Sequence, residues 1–515
     1  MKLRTLPPRA AVLTLVILAG CSDWLVEQPQ DFFPLNQFPQ TEADLAIALG
    51  GIDNWYSGGS NQPYFIRGWP ILTEVSSDQT ITTQTSGTRY EMDSYTLTAS
   101  TEWLWRVWQQ IYGAIGAANF LIQYIPQMSQ LPPDVRNRYM GAAKFHRAFN
   151  YFNAVRVWGG VPLVMTPDTS LAAAEADAHN TPRAPMAEVY DSIVKDLQDA
   201  APLLPLRWPG SATPDDGRPT RGAARALLAD VYLNMSGALV QENHWADAAR
   251  AAKAVIDSGG YSLVPNFADL WLIKNKNGPE HIYSIQFQGV KRNLFTCQSR
   301  PGGTSIGTES CTNYWFSTAA FMNSFDSLDA RKAVTFLTPV TVGTVTYYYN
   351  KTATDGKTKA FGDYNSRSLG FEPYYGKFFD AGGPGGINLN NSRTDLNWPI
   401  YRYADVLLMY AEAENEANGP ALALDAVNQV RRRAGLPTLS GLSQDSLRTA
   451  IRRERSFELA FESKRVFDLK RWGFFYDTLS VDPVAKIGLK PFHVLMPIPQ
   501  YEMDLDPALV QNPGY

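Results

Sequence analysis

Histidine is scarce in this chain. The five residues, His146, His179, His244, His281 and His493, lie far apart with no HExxH and no paired spacing, which gives a histidine-based metal site no support. There is no EF-hand spacing either, so calcium would have to come from loop carboxylates such as Asp355 and Asp363. No cofactor is expected. Charged residues make up 19% and the formal net charge is −4, which argues against a nucleic-acid partner, since that needs a basic footprint. The apolar run Ala10 to Ala19 is too short to span a bilayer. Cysteine is limited to Cys21, Cys297 and Cys311.

What the chain does have is aromatic residues, 12% of the total, with 13 Trp and 25 Tyr. Most of these rings belong in a core, and a share can present flat faces to a ligand. With 515 residues the chain exceeds the usual single core, so one large unit or two intimately packed parts are expected. The N-terminus places Lys2, Arg4 and Arg9 before the apolar run and ends it at Leu18, Ala19, Gly20 and Cys21. That is a signal peptide closing on a cysteine. The arrangement resembles the lipobox of bacterial lipoproteins, which implies cleavage after residue 20, lipid on Cys21 and attachment to a membrane surface. Removing the three leader cations takes the formal charge from −4 to −7. An exported chain meets an oxidising compartment, so Cys297 and Cys311 are candidates for one disulfide.

Helical periodicity dominates the body. Phe145, Ala148, Phe149, Phe152 and Val155 form one stripe, Ala224, Leu227, Leu228, Val231 and Tyr232 a second, and Trp245, Ala248, Ala249, Ala252, Val255 and Ile256 a third. The last two read as a tetratricopeptide-like hairpin. A comparable pair spans 403–418 and 421–434, with Gly419 and Pro420 as the break, and a long helix is expected from Ser443 to Glu462. Glu412, Glu414 and Glu416 read as a solvated face. The basic residues between Arg448 and Arg471 alternate with Glu454, Glu458, Glu462 and Asp468, which reads as a salt-bridge lattice with Arg455–Glu458 and Glu462–Arg465 at helical pairing distance. Pro202 to Pro219 reads as a surface connection, and Val340 to Tyr349 as a strand or hairpin. The predicted class is therefore mainly α: helical hairpins as a scaffold, with long irregular loops and a few short strands carrying the ligand site.

Four segments fix a resemblance: Arg156 to Val164 (RVWGGVPLV), Arg402 to Ala413 (RYADVLLMYAEA), Glu454 to Trp472 with its Glu, Arg and Asp pattern, and Met496 to Pro499 followed by Gln511 to Tyr515. In this order, behind a lipobox, they resemble the SusD/RagB family of outer-membrane nutrient-binding lipoproteins. The resemblance implies a tetratricopeptide-containing fold, a position on the outer face of the outer membrane, and a SusC-like TonB-dependent transporter as partner. It also implies an oligosaccharide ligand, or in some members a peptide. The parts are then a signal peptide (1–20), a lipidated tether (21–39), an N-terminal helical part (40–270) and a C-terminal part with loop insertions (271–515). A surface glycoside hydrolase is the remaining alternative. It would need two carboxylates at a defined separation, and no catalytic motif stands out.

A glycan site needs rings for the C–H faces of sugars beside planar polar groups. The segment 293–316 offers Phe295, Tyr314 and Trp315 with Asn293, Gln298, Arg300 and Asn313. The resemblance implies a second contributing loop, corresponding loosely to 80–102, with Arg89, Tyr90 and Tyr95, and Trp69 could join it. For Trp315, Tyr90, Tyr95 and Trp69 the competing reading is a core ring.

Overall fold

A computed structural model of the chain describes residues 39–58, 64–82, 84–166, 180–213, 215–288, 293, 298, 305–306, 309–310, 314–337, 340–342, 345–348, 358–360, 373–378 and 394–515. Its helices are α1 (Glu42–Ser57), α2 (Thr88–Ser94), α3 (Glu102–Tyr124), α4 (Pro133–Trp158), α5 (Met186–Leu203), α6 (Arg221–Met235), α7 (Trp245–Ile256), α8 (Ala319–Asn323), α9 (Lys332–Thr335), α10 (Tyr403–Asn418), α11 (Pro420–Arg433), α12 (Gln444–Glu458), α13 (Arg465–Arg471), α14 (Phe475–Leu479) and α15 (Gln500–Leu505). The fold is mainly helical, as its periodicity predicts.

Successive helices pack on one another from α3 through α7, and α10 continues the array by packing on α7 before meeting α11 and α12. Alanine makes the close approach possible. Ala223, Ala224, Ala226 and Ala229 of α6 are buried, as are Ala248, Ala249, Ala251 and Ala252 of α7. Local chemistry sets the ends: the Thr220 hydroxyl accepts from the Ala223 amide at 3.2 Å at the start of α6, and the Ser443 hydroxyl caps α12. Gly419, at φ 88°, closes α10 and leads into Pro420 at the first position of α11. From Phe145 to Trp158 every residue of α4 is buried, which makes it the central rod of the N-terminal half.

The strands are short. A two-stranded antiparallel ribbon pairs Thr80–Thr82 with Trp315–Ser317, a second pairs His281–Ile285 with Trp398–Arg402, and Val340–Val342 and Val345–Tyr348 form the expected hairpin.

Three sequence expectations change. The helix from Ser443 stops at Glu458 rather than Glu462, because Phe461 and Ser463 take left-handed backbone (φ 63° and 59°). Phe461 is held there by stacking on Tyr375. The surface connection read as Pro202 to Pro219 starts later, since α5 runs through Pro202 to Leu203, and it is pinned by the buried Trp208, whose indole N–H donates to the Pro219 carbonyl at 2.8 Å. Glu412 and Glu414 are buried, not solvated. Glu412 receives both Arg471, at 2.5 Å, and the Trp472 indole, at 2.7 Å.

The charge lattice exists, but most of its partners are distant in sequence. Arg402 pairs with Glu280, Glu458 and Glu462 at 2.6 to 3.0 Å, Arg331 with Asp329, Glu454 and Glu458, and Arg455 with Asp405 and Asp468. Arg465 leaves Glu462 to its other partners and pairs with Asp78 at 2.7 Å. Burial alone would raise the Glu458 carboxyl, but Arg433, Arg402, Arg331 and Lys377 together hold it far below the ordinary range. The other two motifs are stitched to each other. Asn512 donates to the carbonyls of Trp158 and Met496 at 2.9 and 2.7 Å, and Arg183 bridges the carbonyls of Trp158 and Gly160 to Asn512.

Candidate functional site

The ribbon of 80–82 and 315–317 positions the residues expected to hold a ligand. The strand is buried on both faces, Trp315, Phe316 and Ser317 alike, while Tyr314, just before it, stays partly exposed. The Arg89 guanidinium lies 3.9 Å from the Tyr314 ring centre and 5.6 Å from that of Trp103. The backbone of Tyr314 is tied on both sides: its N–H donates to the Gln298 carbonyl at 2.8 Å, and its carbonyl accepts from the Thr82 hydroxyl at 2.8 Å. Asn293 is buried and exchanges two backbone hydrogen bonds with Thr394.

Of the other expected residues, Tyr90 is half-buried. Trp69 and Tyr95 are core rings and do not join Tyr314. Trp69 stacks on Phe467 at 5.6 Å, and Tyr95 packs on Phe475 and His493 with its hydroxyl donating to the Ser76 carbonyl at 2.5 Å. Phe295, Arg300, Asn313, Cys21, Cys297 and Cys311 lie outside the described residues, as do Asp355 and Asp363. Among the described residues no group of three or more His, Cys, Asp or Glu could hold a metal ion, and no helix is long and apolar enough to cross a membrane.

At the opposite end of the ribbon a cavity of about 940 Å³ opens between α8, α12, α13 and α14. Thr318, four residues beyond Tyr314, lines it with Asp78 and Ile81, so about 13 Å of extended strand joins the Arg89–Tyr314 stack to its wall. On α12 the spacing 449, 452, 453 and 456 turns Thr449, Arg452, Arg453 and Ser456 into the cavity. The opposite side of that helix buries Leu447, Ile451, Glu454, Arg455 and Glu458. Gly473, at φ 75°, ends the α13 segment so that Trp472 and Phe474 both line the cavity, and Phe474 is 44% exposed. The Arg452 guanidinium sits 5.2 Å from the Trp472 ring centre and 5.0 Å from that of Phe474.

Electrostatics distinguish the lining groups. Both oxygens of Asp78 are taken by Arg465, and Asp482 accepts the Val484 and Ala485 amides at 2.8 Å. Arg453 donates to the Ser324 carbonyl at 3.2 Å, and the Arg452 Nε is buried without a hydrogen-bond partner. The arrangement offers ring faces, hydroxyls and planar cationic donors, a surface suited to a polyhydroxylated ligand. Sequence reasoning took Trp472 only as part of a motif and passed over Phe474 and Arg452. For Arg452 the available signal is the polar 449–452–453–456 spacing on α12; Phe474, eighteen residues beyond Ser456, carries none.

Residues 257–515 match the SusD family, and residues 37–233 match a family described as starch-binding associating with outer membrane. The chain is 30% identical to SusD-like protein P2 of Formosa agariphila, with 98% of each chain covered. Among solved structures it resembles a SusD superfamily protein from Parabacteroides distasonis, with 28% identity, a TM-score of 0.76, and 92% of this chain and 98% of that one covered. It also shares the fold of a laminarin binding SusD-like protein, at 24% identity and a TM-score of 0.72, covering 93% and 100%.

Proposed function

The chain belongs to the SusD family, and from that premise we propose that it is a non-catalytic outer-membrane lipoprotein that captures oligosaccharides at the cell exterior. Lipid on Cys21 holds it at the membrane, and a SusC-like TonB-dependent transporter receives the ligand. The observation that carries the reading is the cavity beside the ribbon, with the ring faces of Trp472 and Phe474 next to Arg452 and the hydroxyls of Thr318, Thr449 and Ser456. The laminarin-binding name carried by a neighbour of the same fold supports a saccharide over a peptide.

Of the two carboxylates lining the cavity, Asp78 has both oxygens on Arg465 and Asp482 accepts two backbone amides on one oxygen, which leaves no free carboxylate pair and supports capture without hydrolysis. If each ring removes about 50 Å² of apolar sugar surface from water, it contributes roughly 1 kcal/mol. Two rings with three or four net hydrogen bonds then give about −4 to −6 kcal/mol, a Kd from about millimolar to tens of micromolar. Such weak binding suffices where the next step is intramolecular transfer to a channel beneath, because tethering raises the effective concentration.

The test is a panel of oligosaccharides and peptides applied to the purified protein, with a pull-down from outer membranes of its native host. Binding of a saccharide together with recovery of a barrel transporter is expected. Binding of peptides alone, or release of new reducing ends from a polysaccharide, would overturn the proposal.

A further inference from the structure

Resting on the reading that this cavity is the ligand site, we propose that its ligand is an anionic saccharide, whose carboxylate or sulfate group seats on Arg452 and Arg453. Arg452 lies within one helical turn of Arg448 and Ser456 on α12, and the acids nearest that face are already engaged. Glu416 accepts Arg448 at 2.5 and 2.7 Å. Glu412 accepts Arg471 and the Trp472 indole. Asp78 is closed by Arg465, and Asp482 is turned to the Val484 and Ala485 amides through one oxygen. Among the described residues neither Arg452 nor Arg453 has a carboxylate within ion-pairing distance.

Two guanidinium groups therefore line the cavity with no carboxylate in direct contact, Glu412 and Glu416 acting on Arg452 only from a distance, and Arg452 keeps a buried Nε without a partner. Leaving such a donor unmet costs free energy. The fold retains it by packing the guanidinium against Trp472 and Phe474, which holds the planar fork in place for an incoming anion. A guanidinium fork matches the paired oxygens of a carboxylate or a sulfate ester. The adjoining rings and hydroxyls recognise sugar. One ligand class supplies both features, a saccharide bearing acid groups. A neutral glucan would use the rings and leave both cations unmatched.

The test is titration calorimetry of the full mature chain with three oligosaccharides of equal length, one uronate, one sulfated and one uncharged. At least one charged ligand should bind about tenfold tighter than the uncharged one, as expected for a charge-assisted contact. That preference should shrink as salt rises from about 0.05 to 0.5 M. Arg452→Gln should remove the preference, and Phe474→Ala should weaken charged and uncharged ligands both, the charged one at least as much because the ring also holds Arg452. Which charged ligand binds distinguishes carboxylate from sulfate. Equal affinity for charged and uncharged ligands, or a preference that survives Arg452→Gln, overturns the anionic assignment while leaving the cavity as the site. Unchanged binding in Phe474→Ala removes the cavity itself. The salt series needs no variant, so it tests the proposal even if Arg452→Gln fails to fold.

Discussion

Glu74 shows how differently this chain treats buried acids. The Ser463 amide donates to one of its oxygens and the other is buried without a partner. Burial pushes its carboxyl up to about 8, with the Ser463 bond and Lys377 only partly offsetting. Glu458, equally buried, meets four cations and is held low. The signs of their pH dependence are opposite. Glu458 contributes stability above the ordinary glutamate range that is lost on acidification. Glu74, with its folded value raised, contributes fully below about 4.5 and loses that contribution as pH rises towards 8. Glu74→Gln imitates the neutral form, so thermal melts should show the variant gaining on wild type between pH 5 and 9, by ~2 kcal/mol or more. A difference independent of pH would refute the assignment. At this scale the sequence is ambiguous for a physical reason: in a chain so rich in aromatics, Trp69, Tyr95 and Trp315 fill core space, whereas Phe474, with no distinguishing local pattern, is exposed.

Elements were the most legible level. The stripes around Phe145, Leu227 and Ala248 correspond to α4, α6 and α7, and the Gly419–Pro420 break falls between α10 and α11. Boundaries that depend on distant partners were not legible. The end of α12 is set by Tyr375 against Phe461, and the burial of Glu412 by Arg471. The Gly159–Gly160 pair has such a long-range cause. A Cβ on Gly160 would lie 2.3 Å from the Ala184 carbonyl oxygen, in the strand-like passage where Ala184 donates to Val161 at 3.0 Å. Gly160→Ala should therefore cost about 1 to 3 kcal/mol by pushing residues 183–184 away from the C-terminal segment. Gly116→Ala on α3, where nothing lies within 4 Å of the added atom, serves as the control and should be neutral or stabilising by up to about 1 kcal/mol. Equal melting temperatures for the two variants would contradict this account.

At the scale of the whole molecule, the cavity is assembled from residues 78–81, 318–324, 449–457 and 465–483, four segments that no local pattern connects. The resemblance to the SusD family was legible because its motifs are structural: the lattice of Arg402, Arg455 and Glu458 and the Asn512 stitch hold the scaffold. The ligand-facing residues carry no comparable signature. They need only be rings and planar donors at the right place once the scaffold has folded. The central claim, that this scaffold presents the cavity at α12 and α14 to a saccharide, is tested most directly by one titration. The oligosaccharide that binds wild type best is measured against Phe474→Ala, whose exposed ring can be removed without disturbing the core. The account predicts a loss of affinity of about fivefold, the equivalent of roughly 1 kcal/mol, with an unchanged melting temperature. Undiminished affinity in a folded Phe474→Ala protein would contradict it.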